Sequence, residues 1–479
     1  MARAGVLGTN RDFRRYWISS SLSTLGSQMS LIAFPLLVLS LGYGAANAGL
    51  VATCSLVTRM LLRLPAGQVA DRVDRRRLML GTDLVRMAAL AGIPLAAVLD
   101  VLTFPQLLVV AVVEGTATAL FTPAGTIAVR DVVAEEDLPD ALAKGQASMG
   151  AASLVGPFLG GWLYAVDPIL PFTVDAVSYG VSAFLVWRMR VRPMPAAASG
   201  GPPDRRLTAG FRLLFSQPPL RRALVFAALL NLVGASAEVA MVVGLKTGGT
   251  SSTVIGLVMA CAGVGAVLGS LAAPRLMRAL SAGRLFLLIG AVWAGGLAVF
   301  ASTSRPVVLG PLLVLMVLLT PVAGVVLGEA MLKGTPRELL GRVSTAVGLL
   351  ASGPAAFGPG AAGVSIAFWG VAPTWATMAA LVAVSTLLCG LPMLRDRDLT
   401  TRAEKPAEQR EPEEKREREQ EPEVIATQES IPPNTPEPDP HAPDPREPGP
   451  HEPAPHAPEP RTPGPHGPES RDRRRPDPA

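Results

Sequence analysis

The feature that most constrains this chain is a series of twelve apolar runs, each long enough to cross a bilayer. A membrane-spanning helix needs roughly 20 mainly apolar residues. The predicted spans 1 to 12 cover residues 17–41, 47–69, 78–99, 104–127, 142–166, 169–188, 222–243, 254–276, 284–302, 306–330, 342–366 and 371–394. Hydrophobic residues fill 49% of the 479 positions and the mean hydropathy is +0.37, which is more apolar surface than one soluble core could bury. The sequence therefore predicts an all-α membrane protein with twelve transmembrane helices.

The charges of the loops predict how the chain sits in the membrane. Lys and Arg accumulate in loops that stay in the cytoplasm. The loops after spans 1, 3, 5, 7, 9 and 11 contain two basic residues, Lys246 and Arg305. The other loops hold basic clusters such as Arg75, Arg76 and Arg77. This alternation predicts a multi-pass protein of the cell membrane with both termini in the cytoplasm. The high content of Ala, Gly and Arg is typical of a GC-rich bacterial source.

The polar segments divide the chain into four predicted parts. Residues 1–188 form an N-terminal half of six spans, and residues 222–394 form a C-terminal half of six. Residues 189–221 between them are rich in Pro, Gly and Arg, which predicts a cytoplasmic linker with a short amphipathic helix. Residues 395–479 hold many prolines and no aromatic residue after position 400, so we expect a disordered cytoplasmic tail whose partner is unknown.

An internal repeat supports the division into halves. Residues 135–161 and 337–363 are similar at an offset of 202 positions, at the start and middle of spans 5 and 11. The matching pairs are Glu136 and Glu338, Leu138 and Leu340, Gly156 and Gly358, Pro157 and Pro359, and Gly161 and Gly363. Two similar six-span halves imply a cavity between them, an arrangement used for alternating access.

The loop between spans 2 and 3 carries a family signature. Its sequence GQVADRVDRR resembles the pattern GxxxDRxGRR of the major facilitator superfamily, and it departs from that pattern at Asp74. The residues in register are Gly67, Asp71, Arg72, Arg75 and Arg76. The resemblance implies the major facilitator fold and a cytoplasmic gate in which this loop latches the two halves when the transporter faces outward.

Four further residues are assigned to the same cytoplasmic gate. Asp83 and Arg86 form a DxxR motif in span 3 and are predicted to join the charge network beside Asp71. Glu329 and Lys333 lie four residues apart near the inner end of span 10, a spacing that predicts an ion pair on one helix face.

Span 5 carries the motif GPxxGG, formed by Gly156, Pro157, Gly160 and Gly161. It resembles the signature of the antiporter branch of the superfamily, and a purely structural packing role is the alternative. The segments FTPAGTIAVRDVV and FTVDAVSY extend the similarity to exporters that resemble enterobactin and macrolide efflux carriers. This resemblance covers about residues 8–395 and implies export.

Ionisable side chains inside spans are candidates for coupling transport to an ion gradient. Placing an ionisable side chain there costs roughly 2.5–3.5 kcal/mol on insertion scales, so each such residue is a candidate for a functional role. Glu114, in the middle of span 4, is the first candidate proton carrier, and Asp175 and Glu238 are the others. Arg59 of span 2 is a candidate partner for Glu114 or for an anionic substrate. A protonated or paired structural role is the alternative for each of them.

Catalysis has little support in this sequence. There is no histidine before His441, no phosphate-binding GxxxxGK[ST] loop and no spacing of metal ligands in the spans, so we expect no enzyme activity, no cofactor and no metal. The basic loops suit anionic lipid rather than nucleic acid. The predicted function is proton-coupled export of a small, largely apolar molecule. The alternatives are a proton-coupled importer of the same fold and a non-transporting scaffold or sensor that uses the Pro-rich tail.

Overall fold

The computed structural model describes residues 6–190, 212, 214–216, 218–334 and 340–392. Within these residues, twelve helices are long and apolar enough to cross a membrane. This confirms the predicted all-α, twelve-span fold. Most of the predicted linker and the whole of the predicted tail lie outside the described residues, so the limits of the four parts stay predictions.

The first six spans follow a single helical turn, Val6–Thr9. They are α1 (Arg11–Ser40), α2 (Ala45–Arg72), α3 (Arg75–Val98), α4 (Phe104–Val132), α5 (Leu138–Val166) and α6 (Leu170–Trp187). α1 begins six residues before its predicted start because Asn10 caps it. The Asn10 side chain accepts hydrogen bonds from the backbone N–H groups of Asp12 and Phe13, which satisfies donors at the helix N-terminus.

The last three of the remaining six spans are interrupted. The uninterrupted helices are α7 (Pro218–Thr247), α8 (Ser252–Ala279) and α9 (Ala282–Ser302). α10 consists of Pro306–Leu318 and Thr320–Gly334, α11 of Leu340–Ser352, the 3-10 turn Pro354–Phe357 and Gly358–Trp369, and α12 of Val371–Ser385 with a π-turn at Thr386–Gly390. Pro321 and Pro354 lie next to two of the breaks, where a proline cannot donate the helical hydrogen bond.

The two halves touch through glycine-rich contacts between α5 and α8 and between α2 and α11. A Cβ atom on Gly161 of α5 would lie 2.9 Å from the Cα atom of Gly256 on α8. A Cβ atom on Gly49 of α2 would lie 3.2 Å from the Cα atom of Gly363 on α11. Both contacts lie toward the end of the bundle where α1 ends and α2 begins, here called the far end. The opposite end, which holds the loop between α2 and α3, is called the basic end.

On the α5 side, the halves separate toward the basic end. In α5, the exposed far-end residues form a single stripe, as expected for a helix packed on all other sides; they are Val155, Phe158, Trp162, Ala165 and Val166. Nearer the basic end, the exposed positions of α5 cover more than half of the helix circumference; they are Leu142, Ala143, Gly145, Gln146, Ala147 and Met149. The cleft between the halves is therefore closed at the far end and opens toward the basic end on the α5 side, while on the other side Arg63 of α2 donates a 3.4 Å hydrogen bond to the Gly348 carbonyl of α11.

Candidate transport site

The signature loop begins α3 with a capping residue. Asp74 precedes the helix, and its side chain accepts a 2.8 Å hydrogen bond from the backbone N–H of Arg77. Aspartate is among the residues preferred at this position. Asp74 stands where the superfamily pattern has glycine. It therefore provides a helix cap in place of the conformational flexibility of a glycine.

The two arginines that follow tie this loop to its own half. Arg75 forms an ion pair with Asp131 at the end of α4, with an N–O distance of 2.5 Å. Arg76 donates to the backbone carbonyls of Val186, at 3.3 Å, and of Trp187 at the end of α6. Cations at a helix C-terminus satisfy its free carbonyls. These contacts hold the basic ends of α3, α4 and α6 together.

The other residues of the signature are free in this conformation. Asp71 and Arg72 are exposed, and neither forms an ion pair or a side-chain hydrogen bond within the described part of the chain. A Cβ atom on Gly67 would meet nothing within 4 Å. Unpaired signature residues are expected when the loop is not latching the two halves together. Glu329 and Lys333 lie in the second helix of α10, but their side chains are outside the described residues, so their ion pair stays a prediction.

Asp83 and Arg86 lie inside the N-terminal half, which corrects their predicted place beside the exposed Asp71. Asp83 is fully buried, and its Oδ2 accepts a 2.6 Å hydrogen bond from Ser182 of α6. The Arg86 guanidinium is buried between the rings of Phe121 and Tyr179, at 5.5 and 5.1 Å from their centroids. This is a cation–π arrangement. Asp83 Oδ1 and Arg86 Nε have no hydrogen-bond partner among the described residues.

Asp175 is buried between α1 and α6. Its carboxylate accepts hydrogen bonds from Ser30 of α1 at 2.5 Å and from Ser178 at 3.3 Å, and only 1% of the residue is exposed. Gly26 makes this approach possible, because a Cβ atom there would lie 2.6 Å from the Ser178 hydroxyl oxygen and would collide with the Asp175 carboxylate. The partners of Asp175 in hydrogen bonds are thus hydroxyl groups rather than cations.

Glu114 and Arg59 lie at the same level on α4 and α2. The helices cross closely at Gly115, where a Cβ atom would lie 3.0 Å from the Thr58 side chain. The Glu114 side chain is half-buried, and its Oε1 has no hydrogen-bond partner within the described residues. Arg59 is within electrostatic reach of Glu114, although no ion pair joins them. The surface of Arg59 is exposed, although many protein atoms lie around its side chain. Both are expected of a residue that lines a cleft.

Glu238 stands apart from this cluster. It lies on α7 in the C-terminal half, and it forms no hydrogen bond or ion pair with a described side chain. The structure therefore brings three of the predicted residues, Glu114, Asp175 and Arg59, into one half and leaves Glu238 in the other.

The GPxxGG motif of α5 contacts two different helices. Gly156 and Gly160 face α1, where Cβ atoms would collide with Gln28 and lie 2.6 Å from the Met29 carbonyl oxygen, respectively. Gly161 faces α8, and Pro157 has its carbonyl oxygen 2.5 Å from where a Cβ atom on Gly256 would lie. The motif thus permits close packing within the half and across to the other half.

Sequence reasoning missed the hydroxyl groups that surround the buried charges. The Ser19 hydroxyl is 2.6 Å from Ser182, and Ser27 is 2.8 Å from the Tyr179 hydroxyl. The signal was available: Ser19, Ser23, Ser27 and Ser30 recur at helical spacing on α1, and Asp175, Ser178, Tyr179 and Ser182 do so on α6. Two polar stripes in apolar spans indicate helices that pack on each other through hydrogen bonds.

Twelve spans in two halves around a cleft, with the signature loop at one end, are the arrangement of a transporter of the major facilitator type rather than of an enzyme. The chain matches the transmembrane secretion effector family over residues 9–432, and it belongs to that family of the major facilitator superfamily. The match continues past residue 395, where the resemblance was expected to end.

Individual relatives agree with this family. The multidrug efflux pump Tap of Mycolicibacterium fortuitum is 25% identical over 401 residues, which cover 79% of this chain and 95% of that pump. Tap of Mycobacterium tuberculosis is 32% identical over 177 residues, 34% of this chain, and the match spans only 41% of that pump. The enterobactin exporter EntS of Escherichia coli is 24% identical over 347 residues, covering 71% of this chain and 81% of EntS.

A solved structure supports the fold. The nucleoside transporter NupG superimposes with a TM-score of 0.62 at 15% identity and covers 80% of this chain and 99% of NupG. At this identity the likeness shows the fold alone. The chain is thus a multi-pass transporter of a family whose characterised relatives include exporters.

Proposed function

We propose that this protein is a proton-coupled exporter of a small, largely apolar molecule, working by antiport with both termini in the cytoplasm. The family and the names of its relatives, a multidrug efflux pump and a siderophore exporter, support export. The loop charges support the orientation. In that orientation the cleft described above opens to the cytoplasm, where an exporter collects its substrate.

The observation that carries proton coupling is the position of Glu114. Its carboxyl group is half-buried beside the cleft, with one oxygen that no described donor satisfies and with Arg59 in electrostatic reach. A carboxyl group beside the cleft that lacks a fixed hydrogen-bond partner is a chemically suitable proton carrier. Asp175 and Glu238 are the further proton-site candidates, one in each half.

The test is efflux of ethidium from bacterial cells that express the chain, measured with and without an uncoupler. We expect efflux to stop on adding the uncoupler and to fall to the background of non-expressing cells in Glu114→Gln. Glu136→Gln, on the exposed turn before α5, is the matched control and should keep the wild-type rate. Export that resists the uncoupler, or full activity of Glu114→Gln, would rule out this assignment.

A further inference from the structure

The contact between the halves is long on one side of the cleft. There, α2 and α11 touch from the Gly49 contact at the far end toward the basic end. Thr53 Oγ1 accepts a 2.7 Å hydrogen bond from the backbone N–H of Gly360, and Arg63 donates to the Gly348 carbonyl at 3.4 Å. The stretch of α2 from Gly49 to Arg63 is about 21 Å long, which is most of a hydrocarbon layer of about 30 Å.

The contact on the other side of the cleft is about half as long. α5 and α8 approach closely at Gly161 and Gly256, and again at Gly263, where a Cβ atom would lie 2.5 Å from the Leu154 Cα atom. The stretch of α5 from Leu154 to Gly161 is about 11 Å long. One turn nearer the basic end, a Cβ atom on Gly150 would meet nothing within 4 Å. The two helices therefore separate just past Leu154.

The antiparallel register of α5 and α8 shows where the gap between them lies. Leu154 faces Gly263, so a step of seven residues, about two turns, would pair Ala147 with Ser270. Both Ala147 and Ser270 are exposed. A gap between these two helix faces leads from the outside of the bundle into the cleft.

The gap has an uncharged lining and a basic rim. The lining residues continue the contacting faces of the two helices; they are Ala143, Ala147 and Gly150 of α5 and Val267, Ser270 and Pro274 of α8. At the basic-end rim, Arg278 donates a 3.1 Å hydrogen bond to the Pro274 carbonyl, and Arg275 is exposed. Basic residues at a membrane surface attract anionic headgroups. The gap thus matches the two layers of a lipid leaflet, with acyl chains inside and headgroups at the rim.

We propose that this gap is a side portal, through which the exported molecule passes from the acyl-chain layer of the cytoplasmic leaflet into the cleft. This inference rests on the proposed export of an apolar molecule and adds its source and route, because such a molecule concentrates in lipid rather than in water. The long contact of α2 with α11 is the hinge side. Closure of α5 onto α8 shuts the portal before the far end opens, so the molecule cannot return to the leaflet it left.

The first test asks whether lipid chains reach the gap. A bimane fluorophore is attached to Ser270→Cys in a chain whose own three cysteines are replaced by alanine. The purified chain is then placed in vesicles of phosphatidylcholine that carries bromine in its acyl chains, a quencher of bimane. Ser270 suits this test because it lies two turns from Gly263, on the side of α8 that faces α5, and not on the outward stripe of Leu257, Val264 and Leu268.

Two further positions calibrate the quenching. Val155→Cys lies on the outward stripe of α5 and should be fully quenched by lipid. Met60→Cys lies in the long contact, because the Met60 Sδ atom is 3.6 Å from where a Cβ atom on Gly353 would lie, and it should be protected. We expect Ser270→Cys to lose as much fluorescence as Val155→Cys. Protection of Ser270→Cys equal to that of Met60→Cys would overturn the portal.

The second test narrows the gap. Ala147→Trp and Ser270→Trp fill it from opposite walls, so each variant tests the portal independently of the folding of the other. In ethidium efflux from cells, each should raise the ethidium concentration that gives the half-maximal rate by roughly fivefold or more, because overpacking hinders entry. The maximal rate should be retained. Val155→Trp, on the outward stripe, is the matched control and should keep both values.

Two efflux results would contradict the portal. A lower maximal rate at an unchanged half-maximal concentration in both tryptophan variants would mean that they block closure rather than entry. Unchanged efflux in both variants, with Ser270→Cys quenched, would mean that lipid fills the gap and the substrate takes another route.

The quenching result does not depend on the proposed function. A chain that exports no ethidium would count against the proposed export, while the fluorescence of Ser270→Cys would still decide whether the gap opens to lipid. Uncoupler-sensitive efflux together with a protected Ser270→Cys would leave the exporter in place and remove the portal.

Discussion

Gly161 of α5 and Gly256 of α8 hold the two halves together at the far end. A Cβ atom on Gly161 would lie 2.9 Å from the Gly256 Cα atom, and one on Gly256 would lie 3.0 Å from the Gly161 Cα atom. Separations this short leave no room for a side chain on either helix. The closed far end therefore depends on glycine at both positions.

We expect Gly161→Leu to open the far end. Overpacking of a tight contact costs about 1–3 kcal/mol, and this cost falls on the closed state alone. The population should shift toward the state that is open at the far end, with labelling of a far-end cysteine by a membrane-impermeant maleimide rising roughly fivefold or more. Gly150→Leu, on the same helix in open space, is the control and should change nothing. Equal labelling of both variants would show that Gly161 does not hold this contact.

Gly363 should behave like Gly161, because the internal repeat aligns the two. Gly363 packs on α2, where a Cβ atom would lie 3.2 Å from the Ala46 Cα atom. We expect Gly363→Leu to raise maleimide labelling at the far end to a similar extent, since the same type of contact is lost on the other side of the cleft. Gly324→Leu, in open space on α10, is the control. A rise for Gly161→Leu without one for Gly363→Leu would contradict the symmetric gate.

The helix cap at Asp74 gives a prediction about stability. Asp74→Ala removes the acceptor for the Arg77 N–H, and such a change typically costs about 1 kcal/mol. Asp74→Gly restores the residue of the superfamily pattern and should cost only about a few tenths of a kcal/mol. Thermal unfolding in detergent would measure both. Equal unfolding temperatures for Asp74→Ala and wild type would mean that the cap contributes nothing.

The ion pair between Arg75 and Asp131 predicts coupling between two helices. Arg75 is 20% and Asp131 7% exposed at the side chain, so water screens the pair only partly. A double-mutant cycle with Arg75→Ala and Asp131→Ala should give a coupling energy of about 0.5–3 kcal/mol in thermal unfolding. Additive effects of the two substitutions would show that the pair is not a stabilising contact.

Much of the fold was predictable from the sequence, because the length and spacing of apolar runs report directly on membrane spans. The ends of helices were less predictable. α1 begins at Arg11 because of the Asn10 cap, and charged residues such as Arg11 and Arg14 continue a helix past its apolar part. α10 and α11 are each divided in the structure, next to a proline. A hydropathy profile reports the length of an apolar run, so it does not show these breaks.

The sequence supplied candidate residues for the site but not their arrangement. Glu114 and Arg59 both lie deep in their spans, which made them candidates, and the structure places their helices α4 and α2 side by side. Asp83 follows the signature loop in sequence, which suggested a surface gate, yet a helix rises 1.5 Å per residue and carries it about 12 Å inward from Arg75. The contact of Asp175 with Ser30 depends on how α1 rotates against α6, and only the polar stripes hint at that packing.

The most direct test of the central claim uses the purified chain in vesicles with a pH-sensitive dye inside. Addition of tetraphenylphosphonium on one side should move protons in the opposite direction in the wild-type chain, and Glu114→Gln should move none while Glu136→Gln behaves as wild type. Probe transport without any proton movement in the wild-type chain would contradict proton-coupled export.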